Sequence, residues 1–229
     1  SSANGIITTV GDQYHTILKN KILVNQKFFS IYNGYDKKEF DKLESIRPNY
    51  FNIVFTGVLS ENNNYNAFLK AIKALDPIKN HLKIKFNLAG NIDNRIIDLF
   101  SKFVNTKSAG YLSHHQAISL MKSSHLLVNF NYQGTDKPDM ISGKIIEYLA
   151  SGSPILNISH LNSESESLIS LSEDSVTFSE NDLNKIRNYI SKSYATWLKG
   201  EFKEKIPNNI GEFSRSNLTR NLANILKKI

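Results

Sequence analysis

Cysteine is absent from the 229 residues. Its absence excludes disulfides, thiolate metal sites and a cysteine nucleophile, so any chemistry must come from carboxylates, amines, imidazoles, hydroxyls and backbone amides. No apolar run approaches the roughly 20 residues that a membrane-spanning helix needs. The N-terminus lacks the basic-then-apolar pattern of a secretory signal, and the cytoplasm is the expected compartment. Internal repeats and low-complexity linkers are missing as well. There is no zinc-finger spacing, no aromatic-rich RNA-binding signature and no dense basic block, so nucleic acid is not expected as a partner.

Hydrophobic residues make up 40 % of the chain and charged residues 21 %, the balance of a soluble globular protein with a sizeable core. Lysine and arginine number 28 against 21 acids, and the pI is about 9.3. Such an excess suits an anionic partner: a nucleotide, or peripherally the anionic inner face of a membrane.

Short β-rich runs alternate with amphipathic stretches. Strands are expected at Gly5–Val10, Lys27–Tyr32, Asn52–Gly57, Lys83–Gly90, Val104–Gly110, His125–Phe130, Pro154–Ser159 and Val176–Phe178. Helices are expected at Gln13–Lys21, Asn66–Leu75 (stopped by Pro77), Asn94–Phe103, His114–Ser123, Ser142–Ser151, Leu183–Leu198 and Ser214–Lys228. This alternation predicts an α/β fold: a Rossmann-like, doubly wound parallel sheet with helices on both faces. In such sheets ligands sit at the carboxyl ends of the strands, which directs attention to the residues after Gly57, Gly90, Gly110 and Phe130. The first strand and helix are set apart by the turn pair Asn33-Gly34 and a polar stretch from Tyr35 to Asn49. We therefore divide the chain into residues 1–35, the end of one domain and a connection, and residues 36–229, a second domain.

The most informative segment runs from Asp136 to Ser159. Ser142-Gly143 opens a helix and Gly152 closes it, with Ile145, Ile146, Leu149 and Ala150 as its buried face. The first free amides, near Ser142, Gly143 and Lys144, point at any anion placed there, and the helix dipole favours a phosphate. Glu147 lies one turn further in, where its carboxylate can accept from two vicinal hydroxyls of a ribose. The alternative is a surface Lys144–Glu147 ion pair at i,i+3. Asp139 precedes Glu147 by eight positions and can hold sugar hydroxyls. Gly57 can let a phosphate approach the backbone, with Ser60 beside it, the alternative being a strand followed by a tight turn, and the backbone of Tyr111 and Leu112 can read a base edge. Ser113 reads as a helix cap. His114 and His115 diverge on their helix, so no metal site is expected.

In order, the chain carries Asn33-Gly34-Tyr35-Asp36, a strand ending at Gly57, Leu88-Ala89-Gly90, Gly110-Tyr111-Leu112-Ser113, the run Lys144 to Pro154, and Phe213-Ser214-Arg215 before a last helix. This resembles the C-terminal half of GT-B glycosyltransferases, close to family 4, over nearly the whole chain; Lys144 to Pro154 is the most specific part. The resemblance implies a two-domain retaining enzyme. One half holds a nucleoside-diphosphate sugar, and a saccharide or lipid-linked acceptor is held by the other. No obligatory metal or other cofactor is expected. Residues 1–35 resemble the end of the acceptor domain, so the chain alone should turn over nothing. Glu147 takes the place of the second glutamate of the family's acidic pair, which binds ribose, and Asp139 that of the first, shortened by one methylene. The family's arginine and lysine after the glycine of the first strand read Val58 and Asn62 to Asn64 here. Lys144, by its position at the helix start, is the candidate to take the diphosphate in their place. A non-catalytic GT-B-like module and a nucleotide-sugar epimerase of the same half-fold are the alternatives.

Overall fold

The structure, a computed structural model, describes residues 4–11, 15, 16, 18–20, 26–75, 82–132 and 142–228. Two strands, β1 (Gly5–Thr8) and β2 (Lys27–Ser30), pair in parallel as a sheet of their own. Next comes α1 (Lys37–Lys42), then β3 (Phe51–Leu59), α2 (Asn66–Leu75), β4 (Ile84–Ile92), α3 (Asn94–Ser101) and β5 (Asn105–Ser108). The chain returns through α4 (His114–Lys122) to β6 (Leu126–Phe130), α5 (Lys144–Ser151), β7 (Ile155–Ile158), α6 (Glu164–Ile169) and β8 (Val176–Phe178). A long helix α7 (Leu183–Leu198), a short 3-10 turn (Ile210–Phe213) and α8 (Arg215–Leu226) finish it.

The six strands β5-β4-β3-β6-β7-β8 form one parallel sheet. From β3 the chain winds outward through β4 to β5. It then crosses back and winds the other way from β6, so the direction reverses between β3 and β6. Helices cover both faces, so the central strands β3 and β6 are buried along most of their length, the polar Asn52, Thr56 and Asn129 included. Along β3 alternate residues serve opposite layers: Ile53 and Phe55 pack with α2, α3 and α7, and Val54 packs with α4, α5 and α6. The first layer is aromatic at its centre, where Phe68 meets Phe86, Phe100 and Phe130.

Two glycines shape the carboxyl end of the sheet. Gly57 and Gly90 face each other in register with φ of 120° and 115°. A Cβ on Gly90 would lie 2.1 Å from the Gly57 carbonyl oxygen. Both strands continue past these glycines, to Leu59 and Ile92, further than the sequence pattern indicates.

Three elements were not anticipated. Helix α1 has one buried residue, Phe40, and owes its start to Asp36, whose side chain accepts from the amides of Lys38 and Glu39. Helix α6 starts at Ser163, which caps the Glu166 amide, and the 3-10 turn buries only Ile210. Such short segments carry no apolar period to read. The expected Pro77 stop lies outside the described residues, and the expected helix at Gln13–Lys21 lies partly outside; residues 15, 16 and 18–20 are helical. No helix among the described residues is long and apolar enough to cross a membrane.

Candidate functional site

At the carboxyl ends of β3 and β6, where the winding reverses, lies a cavity of about 260 Å³ lined by Gly57, Asn63, Asn129, Ser142, Lys144 and Ser165, among others. Open parallel sheets bind ligands at this point because neighbouring loops diverge there. Helix α5 aims its first turn into the cavity. The helix is held by Tyr148, fully buried, whose phenol oxygen accepts the Thr56 amide at 2.8 Å. Burial pushes that phenol up to about 12. Behind it Ile145, Ile146 and Leu149 pack on Ile118 and Met121 of α4. Gly143 opens α5 with no side-chain cap, and the first amides of a helix have no partner within it. Ser142 does not cap; its carbonyl accepts the Ile145 amide at 3.0 Å.

Lys144 is the first residue of α5 and is half-buried. Its Nζ lies 4.1 Å from the centroid of the Phe55 ring and would stand 3.7 Å from a Cβ built on Gly57. Among the described residues no carboxylate pairs with it, and it makes no ion pair with Glu147, so the surface-pair alternative does not hold. Burial pulls the ammonium down to about 7, and the side chain rests on an aromatic face.

Glu147 sits one turn deeper and is mostly buried. Burial raises its pKa, His114 and Arg215 lower it, and the charge of Glu39 raises it again. His114 Nε2 is 3.8 Å from Glu147 Oε1 and 3.0 Å from Glu39 Oε2. The start of α4 therefore lies beside Glu147. Ser113 caps that helix in a reciprocal box with Gln116. Just before it, Tyr111 is 92 % exposed, and Gly110 turns the chain with φ 65°. Leu112 faces a different cavity, of about 390 Å³, shared with Arg47, Asn52 and Asn87.

Other residues singled out in the sequence are placed as follows. Gly57 lines the switch-point cavity. Ser60 does not: its amide and hydroxyl both go to Asn63 Oδ1, at 2.9 and 3.2 Å. Val58 is exposed and supplies no charge. Asp139 lies outside the described residues. Sequence reasoning missed Asn63, which ties the β3 loop to the Phe130 carbonyl at 3.2 Å. It also missed Asn129 and Ser165. Asn129 donates to Asn157 at 2.7 Å, and Asn157 donates on to Ser165 and Thr177. Matching asparagines on β6 and β7, with Thr177 on β8 and Ser165 on α6, were the available signal, but which face they occupy depends on strand register.

The six-stranded, doubly wound sheet with a cleft at its reversal point is one half of a GT-B fold. The chain belongs to the glycosyl transferase-like family, whose model matches residues 67–195. Among solved structures, the pneumococcal O-GlcNAc transferase GtfA, in complex with UDP and GlcNAc, is similar at 11 % identity and a TM-score of 0.63, over 98 % of this chain and 45 % of that one. Anabaena HepE in complex with UDP is similar at 15 % identity and a TM-score of 0.64, over 99 % and 64 %. The N-terminal domain of trehalose-6-phosphate phosphatase from Candida albicans gives 13 % and 0.69, over 98 % and 58 %. At such identities the likeness is one of fold. This chain spans about half to two thirds of the length of these proteins. No curated protein is similar to it in sequence.

Proposed function

We propose that this chain is the donor-binding half of a retaining glycosyltransferase that moves a sugar from a nucleoside-diphosphate sugar to a saccharide or lipid-linked acceptor. The observation that carries the reading is the pairing of roles on one turn of α5: Lys144 at the cavity, with no carboxylate partner among the described residues, and Glu147, a carboxylate one turn deeper. The diphosphate would take Lys144 and the first amides of α5, at Gly143 and Lys144. The ribose diol would donate to Glu147, and Tyr111 and Leu112 would lie along the base. When the bond from the anomeric carbon to the diphosphate breaks, charge develops on the leaving oxygen, and a fixed ammonium with helix-start amides stabilises it without reorganisation. On this reading no metal is obligatory, and Asp139 holds the sugar. Residues 1–35 belong to the acceptor half and its connection, a division supported by the separate sheet of β1 and β2. The enzyme would work in the cytoplasm, in polysaccharide assembly, with its basic charge favouring an anionic membrane surface.

One observation favours a second reading, a non-catalytic GT-B-like module. Val58 and Asn62 to Asn64 stand where the resemblance leads one to expect arginine and lysine. Calorimetric titration with UDP, GDP and ADP separates the two readings. Saturable binding of one nucleotide, lost in Glu147→Ala and in Lys144→Ala, supports the donor site. Binding unchanged in Lys144→Ala removes that lysine from it, and no binding at all favours the non-catalytic module.

A further inference from the structure

The carboxylate of Glu147 shares a histidine with a second carboxylate. His114 places Nε2 3.0 Å from Glu39 Oε2 and 3.8 Å from Glu147 Oε1, so one imidazole from α4 stands between acids from α1 and α5. Among the described residues Glu39 Oε2 is shielded from water and makes no hydrogen bond, so its contact with His114 at 3.0 Å is one of charge proximity. Arg215, at the start of α8, adds a second positive field on Glu147. It is stationed there by the Arg215 amide, which donates to the Tyr35 carbonyl at 3.0 Å. Among the described residues, the charges acting on Glu147 are thus His114 from α4, Arg215 from α8 and Glu39 from α1. Helix stability does not explain His114. Ser113 and Gln116 already cap α4.

We propose that His114, set between Glu39 and Glu147, is a positioning residue that holds the Glu147 carboxylate toward the ribose diol of a nucleotide. The inference rests on the donor-site reading above and assigns part of that site to a residue outside it. An ionised carboxylate is acceptor-only and can take both vicinal hydroxyls; a protonated one gives up part of that capacity. Burial and the Glu39 charge push Glu147 toward the protonated form, and His114 and Arg215 oppose them. Losing His114 should therefore make Glu147 take up its proton at higher pH. Losing the charge of Glu39 should do the reverse.

The test is a calorimetric titration of the chain with UDP, GDP and ADP, then of the best ligand and its 2′-deoxy analogue from about pH 4 to pH 8, a range that spans unperturbed Glu to above unperturbed His. His114→Gln should weaken binding roughly tenfold near pH 6, a change of about 1.4 kcal/mol. It should shift the acid limb of the affinity profile upward and reduce the preference for ribose over deoxyribose. Glu39→Gln should shift the acid limb downward, an effect that mere loosening of the fold would not produce. The proposal is overturned if Glu147→Ala abolishes the ribose preference while His114→Gln leaves both the preference and the acid limb in place. If none of the three nucleotides binds the unsubstituted chain, the donor-site reading fails, and this inference fails with it.

Discussion

The phenol of Tyr148 reaches from α5 to the Thr56 backbone amide on β3, and this one hydrogen bond, 2.8 Å long and fully buried, fixes where the first turn of α5 stands relative to Gly57. Tyr148→Phe keeps the ring and leaves a buried N–H unsatisfied, which costs about 1–3 kcal/mol. Equilibrium urea unfolding should show that loss. Nucleotide affinity should fall as well, because Lys144 and Glu147 are carried on the same helix.

Lys144 sets binding against stability. Its burial without an anion is unfavourable to folding, and a bound diphosphate would relieve it. Lys144→Met should therefore raise the thermal midpoint while weakening nucleotide binding, the trade-off expected of a functional residue. In the unsubstituted chain the ammonium sits at about 7. Above that pH it is increasingly neutral in the free state, and an arriving diphosphate restores its proton. Nucleotide affinity should fall as pH rises above about 7. Calorimetry near pH 8, in buffers of different ionisation enthalpy, should register proton uptake. An affinity that stays flat through this range would count against the assignment.

Gly90 has no room for a side chain. With φ at 115° and a Gly57 carbonyl 2.1 Å from the Cβ position, Gly90→Ala incurs about 1–3 kcal/mol of backbone strain before the clash is counted. Urea unfolding should show a loss at the upper end of that range or beyond it.

His125 contributes a separate acid limb. It is buried at the start of β6, where Nδ1 accepts the Asn52 amide at 3.0 Å, and burial with the nearby Arg47 charge holds it down to about 4. The folded state thus resists a proton that the unfolded chain binds below about 6.5. The sign follows: the His125 contribution is fully present above the unfolded value and is lost as pH falls toward 4, on the order of 3 kcal/mol by then. In His125→Gln, where an amide oxygen can replace Nδ1, this part of the acid destabilisation should vanish. The urea midpoints of the two proteins should converge between neutral pH and pH 4.

How far the sequence reveals the site depends on distance along the chain. The bounds of α2 and α7 follow directly from apolar spacing, and the sheet follows from strands alternating with helices. Glu147 and Lys144 are legible because both lie in one short run that opens a helix. The state of Lys144 is not, since it depends on Phe55 and Gly57, brought close only by the parallel register. The His114–Glu39 contact joins helices far apart in sequence, one of them too short to leave a pattern. Ser60 looked free for a ligand because nothing in the sequence indicates that Asn63 folds back onto it.

The most direct test of the donor site is a crystal structure of the chain with its preferred nucleoside diphosphate. The account predicts the diphosphate within hydrogen-bonding distance of Lys144 Nζ and the start of α5, with the ribose diol on Glu147. A nucleotide held elsewhere, such as the cavity beside Arg47, Asn52 and Asn87, with Lys144 and Glu147 untouched, would contradict it.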